Sequence, residues 1–210
     1  MSESYEQTAQ AHTREQALEL LNWADSLNPG PWKLHVLSAA HAAETIAAAA
    51  GLDPERAFVS GALHDIGRYE GPSYARHMTA GAKLLREKEF DEIARICLTH
   101  SFPDHSVANY IGKWDISPEE KAELSAFIES AEYDDYDRLI QLCDALSLPT
   151  GVCLIEKRLV DVALRHGAFA GLEHKWRAFL DIRKYFEKRI GRSIYDLFPE
   201  VVENTFSVDV

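Results

Sequence analysis

Apolar residues recur with the 3.6-residue period of an α-helix along nearly the whole of this chain, and the breaks between periodic stretches carry helix start and stop chemistry. Thr13 can cap a first helix through REQALELLNWADSL. After the break NPGP, Pro31 can open a second helix, because a first-turn N–H has no partner to lose. That helix runs through WKLHVLSAAHAAETIAAAA to Gly51. Asp53 and Pro54 open a third through ERAFVSGALHDIG, with Gly67 as its expected stop. RHMTAGAKLLREK and DEIARICLTH read as two shorter helices, and SPEE carries a capping-box pattern with Ser117 as cap and Glu120 reaching back. Further helices follow around AELSAFIES, YDRLIQLCDALSL, CLIEKRLVDVALRHG and EHKWRAFLDIRKYFEKRIG. No period-2 strand run, internal repeat or long linker interrupts them. The pattern predicts a compact, all-α, multi-helix bundle.

At 210 residues and 46 % hydrophobic, the chain can bury one sizeable core, so a single domain over residues 13–210 is expected after a flexible tail, residues 1–12. The formal net charge of −12 argues against a nucleic-acid polymer as partner, which would need a basic footprint. A small phosphorylated substrate needs only a few local cations or a metal. The N-terminal MSESYEQTAQAH is polar and has no signal-peptide pattern, and AAETIAAAA is too short, and broken by Glu44, to span a bilayer. Cys97, Cys143 and Cys153 are odd in number and lack metal-ligand spacing, which fits free thiols in a reducing cytoplasm.

Six polar residues stand where the periodicity calls for apolar ones. His35 lies one turn after Trp32, and His64 shares a face with the small Ser60 and Gly61. His77 opens a face continued by Ala80, Gly81 and Leu84, while His100 follows Ile93, Ile96 and Cys97 at one-turn steps. Asp65 adjoins His64, and Asp144 sits between Cys143 and Ala145. A buried carboxylate without a partner neutralises or recruits a cation. One aspartate and one histidine can simply pair, but two aspartates and four histidines from separate helices exceed what pairwise bonding needs. A metal centre accounts for them together, and a thiolate-free His/Asp set suits one or two divalent transition-metal ions (Fe, Mn, Zn, Co or Ni, with Mg also admissible). Adjacent helical residues diverge by about 100°, so His64 and Asp65 can serve different edges of one site.

These residues give the chain its resemblance to the HD superfamily of metal-dependent phosphohydrolases, HDIG-type, over roughly residues 20–165. The family pattern is matched by His35 in WKLHVLSAA, His64-Asp65 in GALHDIG and Asp144 in LCDALS. Members with two metals add histidines matched by His77 in RHMTAGAKLL and His100 in ICLTHSF. The resemblance implies His35, His64, Asp65 and Asp144 on a first ion, with Asp65 bridging to His77 and His100 on a second. His105 in SFPDH is a further candidate ligand or substrate contact. Trp32 stands where many members carry arginine, and Arg68 where many carry lysine. A guanidinium offers a better fork for phosphate, so Arg68 joins His64 and Asp65 as a candidate catalytic residue. The GYP element of the cyclic-dinucleotide branch is absent.

The implied activity is hydrolysis of a phosphoester, in a nucleotide or other small phosphorylated metabolite, by metal-activated water. HD-type di-iron oxygenases share the same six ligands and oxidise C–H bonds, and a non-catalytic nucleotide-binding module is a third reading. Lys33, Arg76 and Arg158 are candidates for a phosphate clamp, with surface solvation as the competing role. His12, His166 and His174 receive no role, and His41, about 240° around its helix from His35, points away. EYDDYDR reads as a solvated acidic helix start, and the four tryptophans as core or rim packing. The C-terminal IYDLFPEVVENTFSVDV alternates enough to offer a homodimer contact. Loops 68–76, 101–116 and 147–152 are expected to shape the substrate pocket.

Overall fold

Alanine fills the middle of the second helix, and small side chains let neighbouring helices approach it from several directions at once. In the computed structural model, which describes residues 12–206, this helix, α2 (Trp32–Ala50), is the axis of the fold. It is preceded by α1 (Arg14–Leu27) and followed by α3 (Pro54–Leu63), α4 (Arg76–Glu87), α5 (Asp91–Thr99), α6 (Pro118–Ser130) and α7 (Asp135–Leu146). A two-residue antiparallel pair, β1 (Ser147–Leu148) and β2 (Gly151–Val152), separates these from α8 (Ile155–His166), α9 (Leu172–Ile190) and α10 (Val201–Phe206). Among the described residues the fold is all-α apart from that pair, and no helix is long and apolar enough to cross a membrane.

The start signals work as the residues dictate. Thr13 and Gln16 form a capping box on α1, as Ser117 and Glu120 do on α6, and Asp53 accepts from the backbone N–H groups of Glu55 and Arg56 at the head of α3. Gly51 ends α2 in the left-handed conformation. Asp134 caps α7 in a box with Asp137. That box departs from the expected solvated acidic start: Asp137 is fully buried, accepting from the Thr99 hydroxyl at 2.8 Å and pairing with Arg95. A buried carboxylate is stable there because three donors reach it, the third being the Asp134 backbone N–H at 2.8 Å.

Two glycines set the spacing of the helices that carry the site. A Cβ on Gly61 would lie 2.6 Å from Ala40 Cα, so its missing side chain is what lets α3 rest on α2. The small face around Ser60 and Gly61 therefore admits a helix, not an ion. A Cβ on Gly67 would lie 2.0 Å from the His77 carbonyl oxygen and 2.5 Å from Gly81 N. Gly67 is not the stop of α3, as its sequence position suggested. The helix ends at Leu63, the chain passes through a 3-10 turn at Ile66–Glu70, and Gly67 is the point where that turn touches α4.

Two apolar cores lie on either side of α2. Val36 and Ala40 face one built with Leu21, Phe58, Leu63, Met78, Leu85, Phe102 and Ile128, from α1 to α6. Ala39, Ala43, Ile46 and Ala47 face another built with Leu139, Ile140, Leu146, Phe179 and Phe186, from α7 to α9. The C-terminal segment, expected as a dimer contact, turns Ile194, Phe198 and Val201 into this second core and leaves Val202 and Phe206 exposed. Residues 1–11 of the expected tail and residues 207–210 lie outside the described residues. His12 is described: its ring stacks on Phe90 and its Nε2 lies 3.0 Å from the Glu89 carbonyl oxygen.

Gly67→Ala should force the turn and α4 apart. We expect a loss of about 3 kcal/mol, at the upper end of overpacking costs, seen in thermal denaturation as a fall in Tm of roughly 6–12 °C. An unchanged Tm would show that the close approach of Gly67 to α4 does not matter.

Candidate metal centre

A helix leaves its last carbonyls without partners, and a histidine just beyond them can use one. His64 and His100 do this at the ends of α3 and α5: Nδ1–H of His64 donates to the Gly61 carbonyl at 2.7 Å, and that of His100 to the Cys97 carbonyl at 2.9 Å. His77 makes the same three-residue reach from the head of α4 back to the Tyr74 carbonyl, and His35 Nδ1 donates to the Ser147 carbonyl at 3.2 Å. A carbonyl oxygen only accepts, so all four rings carry their hydrogen at Nδ1 and present an Nε2 lone pair. All four imidazoles and Asp65 are buried.

These lone pairs face one another and two carboxylates. His77 Nε2 lies 3.0 Å from Asp65 Oδ1 and 3.4 Å from His100 Nε2, and His100 Nε2 lies 3.6 Å from the same oxygen. Asp144 Oδ1 stands 3.0 Å from His35 Nε2 and 4.0 Å from His64 Nε2. Acceptors this close repel unless a cation lies among them. Atoms about 2.1 Å from one ion stand about 3.0–3.4 Å apart at octahedral or tetrahedral angles, so three of the five separations are those of ligands sharing an ion, and the 3.6 and 4.0 Å pairs are longer. His64 Nε2 and Asp65 Oδ1 are buried and without a hydrogen bond, the mark of groups awaiting a non-protein partner. The donor set therefore fits divalent metal. Ligand atoms of His35, His64 and Asp65 lie within 4.8 Å of one another, as do those of Asp65, His77 and His100, so Asp65 belongs to both groups.

Burial alone would neutralise these carboxyls. At Asp65 it is outweighed by the Arg68 guanidinium, which holds the carboxyl well below its usual range. Burial pushes His100 down to about 3 and lowers His35 as well, which keeps both rings neutral and able to ligate. The backbone behind the site is braced by Gln141 of α7, whose amide donates to the Thr99 carbonyl at 3.0 Å, next to His100.

Five of the six cluster residues, all but the fully buried His64, line a cavity of about 700 Å³. Each of the three loops expected to shape it contributes: Arg68, Ser73 and Tyr74; Ser101, Tyr110 and Ile111; Leu148 and Pro149. Arg68 lines it too, but its Nε donates to Asp65 Oδ2 at 2.5 Å, so it steadies Asp65 as well as facing the cavity. Of the clamp candidates, Lys33 pairs with Asp25 at 3.0 Å and Arg76 with Glu70 at 2.5 Å, neither lining the cavity, whereas Arg158 does. His105 is not a lining residue. It is exposed, with its ring stacked on Tyr133 at 3.7 Å. His166, given no role by the sequence, lines the cavity, as do Trp32 and Trp176. Missed entirely was Lys175 of α9, buried, with Nζ donating to the Ser101 carbonyl at 2.8 Å and its pKa brought down by burial to about 8. A buried lysine one turn before Phe179 in an apolar stripe was the available signal.

Protein purified from metal-replete cells should hold one or two divalent transition-metal ions per chain by elemental analysis. Chelation should remove about 2.7 kcal/mol of stability for an ion bound at 100 times its Kd, a fall in Tm of roughly 5–11 °C, and His64→Ala should abolish that chelator-dependent shift. Metal-free protein whose Tm responds to neither change would refute the centre.

A family model described as HD domain matches residues 34–148, more than half of the chain and a span holding all six cluster residues. Neither the curated proteins nor the solved structures compared with the chain return a match. The matched span ends before α8 and α9, which supply the far wall of the cavity. On the strength of that match the chain belongs to the HD domain family, whose members are in general metal-dependent phosphohydrolases that bind divalent metal.

Proposed function

We propose that the chain is a metal-dependent phosphohydrolase that cleaves the phosphoester of a nucleotide or another small phosphorylated metabolite. The observation that carries this reading is the charge of the cavity. The chain as a whole bears a formal charge of −12, yet the cavity is lined by five cations, Arg68, Lys157, Arg158, Arg165 and Lys175, against three carboxylates, Asp65, Asp144 and Asp161. Two of those carboxylates belong to the metal cluster, so the space above it favours an anion. That observation also favours the hydrolase over an oxygenase acting on a neutral organic substrate. The free, buried cysteines and the absence of a basic surface excess support a cytoplasmic enzyme acting on a small molecule, without a nucleic-acid polymer as partner.

His35, His64, Asp65 and Asp144 would hold one ion, with Asp65, His77 and His100 available for a second. Bound divalent metal supplies a water acidified toward a pKa of about 7 and charge stabilisation on the phosphoryl oxygens. Arg68 stands beside Asp65 with Nη groups free to hold a non-bridging oxygen; its one further contact, Nη1 to the Ser73 carbonyl, is long at 3.5 Å. Lys175 keeps two N–H groups beyond its bond to Ser101, next to His100. Trp32, Tyr110 and Trp176 line the cavity and would exclude bulk water from the bound ester.

A panel of phosphoesters run beside an oxygen electrode tests the reading. Mn- or Co-loaded protein should hydrolyse small phosphoesters without consuming oxygen, and Arg68→Ala should lower kcat/KM by about 100-fold, the usual cost of removing one donor to transition-state charge. Oxygen uptake by Fe-loaded protein, with no phosphoester turned over, would replace the hydrolase with the oxygenase.

A further inference from the structure

The wall of the cavity facing the cluster is one side of α8, from Lys157 to His166. Its charges are unevenly matched. Lys157 pairs with Asp161 at 3.3 Å, four residues on, which uses the one carboxylate this wall contributes. Arg158 and Arg165 have no carboxylate within ion-pair distance among the described residues, in a chain with 34 acidic and 22 basic side chains. Arg158 Nε is buried and without a hydrogen bond. Arg165 donates its Nε–H to the Asp161 backbone carbonyl at 3.3 Å, leaving both Nη groups available. Seven residues apart, the two arginines lie on one face of the helix, about 10.5 Å apart along its axis. Arg158 and Arg68 both act on the charge of Arg165, so the cavity brings cations together rather than dispersing them. A guanidinium without counter-charge is stable only when an anion or bulk water serves it; Arg158, half-buried with its Nε buried, is poorly placed for water, whereas Arg165 is exposed and extends the same cationic face.

We propose that Arg158 and Arg165 of α8 form a second anion subsite in the cavity that holds the metal cluster, and that the substrate therefore carries a second phosphate besides the one hydrolysed. This rests on the hydrolase reading for the first phosphate only; the subsite itself stands on α8. A contiguous diphosphate and a molecule phosphorylated at two separate positions present the same chemistry to the arginines, and the assay distinguishes them.

The test is calorimetric titration of the metal-loaded and the chelator-treated protein with orthophosphate and with methylenebisphosphonate, a diphosphate mimic that is not hydrolysed. The bisphosphonate should bind more tightly in both forms. Replacing both arginines (Arg158→Gln, Arg165→Gln) should weaken it by about tenfold or more, the loss expected for two charge-assisted contacts, and weaken orthophosphate by a clearly smaller factor. Both side chains lie on a helix surface, and circular dichroism with Tm verifies folding; single Arg→Lys variants, which keep charge but lose the fork, should fall between. In the kinetic arm, the paired variant should raise KM for a nucleoside 5′-diphosphate or a 3′,5′-bisphosphate, whichever fits, by a clearly larger factor than KM for the 5′-monophosphate. Equal binding of the two probes, unaltered by the variants, would overturn the subsite even if monophosphates are hydrolysed. Arginine-dependent binding of the bisphosphonate without turnover of any phosphoester would uphold the subsite and overturn the hydrolase.

Discussion

Backbone carbonyls set the chemistry of this protein. Four of them, at Gly61, Tyr74, Cys97 and Ser147, take the Nδ1 hydrogens of four buried imidazoles. Once those bonds exist, four Nε2 lone pairs have nowhere to point but toward each other and toward Asp65 and Asp144. The resulting repulsion is tolerable only around positive charge, and the fold supplies too little of it: Arg68 reaches Asp65 alone among the cluster's groups. A metal-binding geometry is thus produced by main-chain hydrogen bonding at helix ends.

Holding that geometry falls to the spacing of the helices. The six residues come from α2, the end of α3, the head of α4, the end of α5 and α7, so small displacements of any one would break the set. Ala40 against Gly61 and Gly67 against the His77 carbonyl fix α3 on α2 and the following turn on α4. The buried Asp137–Thr99–Arg95 group and Gln141 tie α5 to α7 beside His100. Small residues where backbones touch and hydrogen bonds behind the ligands act together to hold the helices that carry the imidazoles.

Much of this was legible in the sequence, and the reasons are local. Helix starts at Thr13, Asp53 and Ser117 depend on residues within one turn, so they could be read directly. The six cluster residues stood out because polar groups break an apolar period. Gly67 misled because its role is a contact with α4, ten residues away in sequence, and a stop and a close approach look alike in one dimension. Asp137 looked solvated for the same reason: its donors, Thr99 and Arg95, lie on another helix. Arg158 was named as a clamp candidate beside Lys33 and Arg76, which do not line the cavity, while His166 was given no role and Arg165 and Lys175 were overlooked, since a surface cation and a cavity cation have the same sequence signature until α8 and α9 are folded beside the cluster.

The central claim is that this cluster is built around cations, and anomalous diffraction from crystals of the protein loaded with Mn or Zn tests it most directly. Peaks bounded by His35, His64, Asp65 and Asp144, with or without another bounded by Asp65, His77 and His100, are the expected result. Absence of any anomalous peak in the cluster, with the imidazoles bonded to protein donors through Nε2, would contradict it.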